Sequence, residues 1–129
     1  GILPLLHALQ EFGIQKAILS NKPQHFTDLC AEHFFPDIQF SVVFGAKDDF
    51  PKKPDPVSAL HIASKMNILP SEVIYVGDTS IDMNTAINAG MYPVGVSWGF
   101  RSKEELFGAG AKIILTYPEE LMLMVSEQE

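Results

Sequence analysis

Apolar positions along the chain follow two alternating rhythms. The opening segment ILPLLHALQEFG sets Leu5, Leu6 and Leu9 on one side of a helix, with Gly13 placed to stop it. The period then shortens. KAILS is a compact apolar run that stops at the polar pair Ser20 and Asn21, the pattern of a buried strand and turn. KPQHFTDLCAEHFF returns to helical spacing, with Pro23 in the first turn and Phe26, Leu29, Cys30 and Phe34 as its apolar stripe. FSVVFG reads as the next strand and KDDFPKKPDP as a charged, proline-rich loop. VSALHIASKMNIL reads as a helix with Asp55 as N-cap and Pro56 at its first position. VIYVG is a third strand, SIDMNTAINAG a helix closed by Gly90, and YPVGVSW a fourth strand. SKEELFGAG predicts a short helix, KIIL a last strand, and PEELMLMVSEQE a final helix fraying into acidic residues.

Helices alternating with short, nearly continuous apolar strands predict an α/β fold, a doubly wound, mostly parallel sheet flanked by helices. In such open sheets ligands bind beyond the carboxyl ends of the strands. The polar residues at those ends are Ser20 and Asn21 with Lys22, then Lys53 in the following loop, then Asp78 with Asp82. A hydroxyl and backbone amides near a helix start suit phosphate oxygens, and an ammonium adds a point charge to the same anion. Two carboxylates suit Mg²⁺, which takes oxygen ligands and completes its shell with water and substrate phosphate.

Each of these residues has a purely structural reading. Ser20 and Asn21 can cap the helix that Pro23 opens, Lys53 can be a solvated lysine, and Thr79-x-x-Asp82 matches a capping box. Asp78 is harder to explain away, because helix-dipole stabilisation of about 0.3–1 kcal/mol does not require Gly77 before it. His7, His25, His33 and His61 lack metal-ligand spacing and read as surface or packing residues. Cys30, in an apolar stripe, reads as core, as do the phenylalanines and LMLMV. Trp98 and Phe100 suit either the mouth of a site or packing.

Composition narrows the field of partners. The 129 residues suffice for one compact domain, and 9 Lys+Arg against 16 Asp+Glu, a net charge of -7, leave no basic stripe for nucleic acid or an anionic membrane. One cysteine forms no intrachain disulfide, and no apolar run spans a bilayer, which predicts a reducing, soluble, cytoplasmic setting. The chain starts at Gly1 with neither a signal nor a transit pattern, as if mid-domain.

Taken together, ILSNK, Lys53 in KKPDP, and GDTSID resemble the second, third and fourth motifs of the haloacid dehalogenase-like phosphatases, in that order. VFGAKDDFPKKPDP and GVSWGFRSKEELFGAGAKIIL are similar to the phosphoglycolate phosphatase branch. The resemblance implies a Rossmann-like core and Mg²⁺-dependent hydrolysis of a small phosphomonoester through an aspartyl-phosphate. It implies that Ser20 binds the phosphoryl group with help from Asn21, that Lys53 balances charge, and that Asp78 ligates Mg²⁺. Asp82 would ligate directly or through water. The family's first motif, Asp-x-Asp-x-Thr or Val, does not occur among these residues. Nucleophile and substrate-selecting cap are therefore expected upstream of Gly1, residues 1–129 being the C-terminal part of one core domain, inactive alone.

Phosphoglycolate is the substrate expected from the branch; pyrophosphatases, nucleotidases and sugar-phosphate mutases use similar core motifs. Two other classes stay open. A receiver-type phosphoacceptor module shares the sheet, acidic residues, Mg²⁺ and a lysine, although its acidic pair comes early and its lysine late, whereas Lys53 here precedes Asp78. A non-catalytic scaffold of phosphatase descent is the other. The family's strand order also places an absent strand between residues 16–20 and 73–77, leaving a gap of roughly 9–10 Å. Its facing edges are expected either to drive self-association or to pair directly.

Overall fold

The computed structural model describes residues 2–126. The alternation of helix and strand is as expected: α1 (Ile2–Glu11), β1 (Ala17–Pro23), α2 (Gln24–Phe34), β2 (Val42–Ala46), α3 (Val57–Lys65), β3 (Ile74–Gly77), α4 (Ser80–Ala89), β4 (Tyr92–Val96), α5 (Lys103–Gly108), β5 (Ile113–Leu115) and α6 (Glu120–Ser126). The acidic tail beyond Ser126 lies outside the described residues. Gly13 and Gly90 stop α1 and α4 in the left-handed region, at φ 73° and 74°. Ile14 N–H donating to Leu9 O and Met91 N–H donating to Ala86 O close both helix ends. No helix among the described residues is long and apolar enough to cross a membrane.

All pairing is parallel, in two separate sheets, β1-β2 and β3-β4-β5. Among the described residues no ladder joins β1 to β3, so direct pairing of those edges does not occur. Helices hold the halves together instead. α3 turns Ala59 and Ala63 toward Val73 and Tyr75 of the second sheet's side, and Ile62 and Met66 toward Ala17 and Val42 of the first. Leu19 of β1 packs in both clusters. α1 leads into β1, yet its Leu5 and Leu9 pack with Val94, Val96, Leu115 and Leu121 on the second sheet. The opposite face carries Met83 of α4 and Leu106 of α5 against Ile114. Along the C-terminal helix Leu121 is buried, Met122, Met124 and Val125 pack beside it, and Leu123 is exposed.

Three local expectations are corrected. The apolar stripe of α2 is not buried: Phe26, Leu29, Cys30 and Phe34 are exposed, and Thr27 and Ala31 face the sheet instead. The cause is a close approach of helix and strand. Gly45 lies so near α2 that a Cβ there would sit 2.6 Å from Gln24 Cα and 2.6 Å from Thr27 Oγ1, which admits only small residues at the contact. Gln24 seals it, donating to Val43 O and accepting from Gly45 N–H. Second, β1 runs on to Pro23, which pairs with Ala46 after an irregularity beyond Leu19; Pro23 is the N-cap of α2, with no side-chain cap. Ser20 and Asn21 are thus not caps. Third, α3 ends at Lys65, not Leu69, because Asn67 turns to φ 59°. At its start Pro56 is the cap position, and Asp55 Oδ1 still accepts the Val57 N–H at 2.9 Å.

The α2–β2 contact makes a direct prediction. Gly45→Ala forces backbone apart and is expected to destabilise the chain by about 1–3 kcal/mol. Gly108→Ala, in a helix with nothing within 4 Å of the new Cβ, is expected to be neutral or stabilising by up to about 1 kcal/mol. Urea unfolding of the two variants checks the contrast.

Candidate active site at the carboxyl ends of the strands

The expected residues come from three successive strand ends. Asn21 lies in the irregular end of β1, Lys53 in the loop after β2, and Asp78 just past β3, with Asp82 in the first turn of α4. Asn21 clasps the loop backbone, accepting the Lys53 N–H at 3.0 Å and donating to Lys53 O at 3.4 Å. Asn88 of α4 donates to Pro54 O at 3.1 Å, and the Lys53–Pro54 peptide is cis. The clasp points the ammonium inward, and Lys53 Nζ meets Asp82 Oδ1 at 2.7 Å, with the two side chains only 12% and 10% exposed.

Asp82 is fully engaged. Its Oδ2 accepts the Asp78 N–H at 3.2 Å and the Thr79 hydroxyl at 3.0 Å, while Thr79 Oγ1 accepts the Asp82 N–H at 3.1 Å. Half of the expected capping box is present, Thr79 Oγ1 accepting the Asp82 N–H, while the returning bond to the Asp82 carboxylate comes from the Asp78 N–H and not from that of Thr79. Gly77 is what lets it fold back: a Cβ there would fall 2.3 Å from Asp82 Cβ. Breaking a buried pair by removing one partner costs about 3–5 kcal/mol, because the other charge is left uncompensated.

Asp78 is held differently. Among the described residues its carboxylate accepts no hydrogen bond and joins no ion pair, and it is partly accessible. Among the described residues no hydrogen bond joins the Ser20 side chain to Asn21, Lys53, Asp78 or Asp82. Its Oγ accepts the Lys22 N–H at 3.0 Å, which leaves the hydroxyl hydrogen free to donate. Trp98 and Phe100, 44% and 104% exposed, flank Gly99, which lies against Asp78; their exposure shows that neither is packed into the core.

For a cation the donor set is limited but suitable. Among the described residues no group of three or more His, Cys, Asp or Glu could hold a metal by itself. Mg²⁺ does not need one: it is held through one or two carboxylates with water and phosphate oxygens. Asp78 offers such an uncommitted hard oxygen donor, and Asp82, occupied by Lys53 and Thr79, stands behind it.

Two neighbours were not legible in the sequence. Tyr75 has a buried hydroxyl that makes no hydrogen bond of good geometry. Burial, and then the adjacent Asp82 charge, push its pKa above the usual tyrosine value, with the Thr85 hydroxyl acting in the opposite direction. Gly99 was visible only as a glycine between two aromatics after a strand. The histidines behave as expected: His7, His25 and His33 are exposed, and His61 packs edge-on against Phe44.

A recess lies elsewhere, at the amino-terminal ends of β1 and β2, with a volume of ≈ 780 Å³ and Gln10, Lys16, Phe35 and Ser41 in its wall. Two of its amides are engaged within the protein, Gln10 accepting the Gln39 N–H, and Gln15 donating to Met66 O and accepting from the Ser41 hydroxyl. Burial lowers the Lys16 pKa, and Lys16 Nζ donates to Ile14 O.

Comparison with known proteins identifies the family. A family model described as haloacid dehalogenase-like hydrolase matches residues 1–96. The phosphoglycolate phosphatase of Escherichia coli (strain K12) is 36% identical over 101 residues, 78% of this chain and 40% of that protein. Among solved structures, a protein assigned as a phosphoglycolate phosphatase from Lactobacillus delbrueckii subsp. bulgaricus superposes with a TM-score of 0.87 at 33% identity, covering 93% of this chain and 50% of that one. A hydrolase of the same family from Deinococcus radiodurans R1, solved with bound phosphate and sodium, shares the fold with a TM-score of 0.84 at 22% identity, covering 97% of this chain and 57% of that one. The chain thus spans 40% of the length of the curated relatives it matches. With its motif residues on successive parallel strand ends, and a family match over most of its length, the chain belongs to the haloacid dehalogenase-like hydrolases.

Proposed function

We propose that this chain supplies the charge-balancing and cation-binding half of an Mg²⁺-dependent phosphomonoester hydrolase, with phosphoglycolate as substrate. The observation that carries the reading is the linked arrangement of Asn21, Lys53, Asp82 and Asp78 across three strand ends. Its relatives' names support phosphatase chemistry and point to phosphoglycolate.

In this reading Ser20 donates its free hydroxyl hydrogen, and Asn21 its backbone N–H, to phosphoryl oxygens. Lys53 keeps two further N–H donors for the anion while Asp82 holds the third. Asp82 thereby aims Lys53, and behind Asp78 it would reach a bound cation through water, or directly if one of its hydrogen bonds gave way. Bound Mg²⁺ would supply charge neutralisation on the phosphoryl oxygens, with Asp78 as its ligand. Such clamping is most of phosphoryl-transfer catalysis, but it does not replace a nucleophile. The attacking aspartate, and the acid that protonates the leaving oxygen, come from outside these 129 residues.

The 129-residue chain alone is accordingly expected to show no phosphomonoesterase turnover. Grafted in place of the matched part of the E. coli phosphoglycolate phosphatase, it is expected to restore Mg²⁺-dependent release of phosphate from phosphoglycolate. In the graft, Asp78→Asn should lower kcat/KM by about 10²-fold or more without moving the unfolding midpoint, since among the described residues its carboxylate accepts no hydrogen bond and joins no ion pair. Lys53→Ala should lose activity and also about 3–5 kcal/mol of stability. Chelator-sensitive turnover by the chain alone, or wild-type rates in either variant, would overturn this assignment.

The sheet gap supports a partner as well. β1 and β3 are anchored to one helix and one polar network yet, among the described residues, do not pair with each other, so each keeps an edge of amides and carbonyls outside any ladder. The chain by itself is expected to self-associate through these edges. Size-exclusion chromatography with light scattering reads the result, and a monodisperse monomer counts against it.

A further inference from the structure

The two aspartates of the site are fixed in opposite ways. Asp82 is held by three hydrogen-bonding groups, Lys53 Nζ, Thr79 Oγ1 and the Asp78 N–H. Asp78 has no such group on its carboxylate among the described residues, so hydrogen bonding does not set its direction. A wall sets it instead. Gly99, in the loop after β4, lies against Asp78 so closely that a Cβ on it would stand 2.6 Å from Asp78 Cβ, 2.7 Å from Oδ2 and 3.1 Å from Cγ. Contacts under 3.0 Å are essentially never made by a real Cβ.

The conflict is one of space, not of backbone torsion. Gly99 is absent from the residues with positive φ, so alanine fits its backbone conformation. Nor is the obstacle a flexible chain end. Asp78 Cβ is fixed by its own backbone, which the Asp78 N–H ties to Asp82, so a Cβ on residue 99 would be accommodated only by movement of the loop or the strand end. Glycine at 99 thus lets the loop close on Asp78 and blocks one side of its carboxylate. Trp98 and Phe100 on either side hang from the same loop.

We propose that Gly99 is the positioning residue for Asp78, the contact that directs the Asp78 carboxylate toward a bound cation. The metal half of this rests on the reading of Asp78 as an Mg²⁺ ligand; the steric half does not. The test is a double-mutant cycle on the 129-residue chain with two readouts, urea unfolding and Mg²⁺ binding by calorimetry. Gly99→Ala is expected to weaken Mg²⁺ binding by about 10–100-fold, the range found for residues that orient metal ligands, while Gly108→Ala binds as wild type. The unfolding cost of Gly99→Ala should vanish when Asp78→Gly removes the side chain it strikes. Should Gly99→Ala fail to fold alone, recovery in the double variant shows the same coupling. Wild-type Mg²⁺ affinity in Gly99→Ala, or an equal unfolding cost with and without the Asp78 side chain, overturns the proposal. A wild-type chain that takes up no Mg²⁺ overturns the cation reading of Asp78, while the unfolding cycle still decides the steric coupling.

Discussion

One carboxylate holds the polar end of this structure together. Asp82 accepts from an ammonium carried on the β2–α3 loop, from a hydroxyl on its own helix turn and from the amide that follows β3. Burying a charge is unfavourable unless it is paired and its remaining lone pairs are satisfied. That requirement explains why Lys53, Thr79 and the bent backbone at Asp78 occur together. Through Asn21 it also reaches β1, so a single buried ion pair connects two sheets that share no ladder. The apolar counterpart is α3, whose alanines allow close packing on one side while Ile62 and Met66 fill the other.

Small residues appear wherever these parts come closest. Gly45 admits α2, Gly77 admits Asp82, and Gly99 admits Asp78. In each case the missing Cβ is space taken by a neighbour; none of the three has a positive φ. The site is therefore shaped as much by absent side chains as by the acids and lysine that do the electrostatics.

Much of this was legible in order along the chain. Strand and helix followed from periodicity, and Gly13 and Gly90 marked helix ends because a left-handed cap is a local requirement. Asp78 stood out because a helix dipole alone does not call for Gly77 before it, whereas Asp82 read equally well as a helix-start residue paired with Thr79. Facts decided by distant partners were not. The Asn21 clasp spans 32 residues, and nothing near Asn21 announces it. The outward turn of Phe26, Leu29 and Phe34 depends on Gly45, a residue of another element, and overrode an otherwise sound helical stripe. Gly99 carries no chemistry of its own, so only coordinates reveal what it excludes.

The loop that carries Gly99 also carries the chain's one tryptophan, 44% exposed. Excited at the red edge of the absorption band, where the three tyrosines contribute little, its emission arises at one address in the molecule. That address is the residue next to Gly99, in the loop that closes on Asp78, so the protein has a native optical reporter of polarity on that loop, and neither a dye nor an engineered label is needed to watch it.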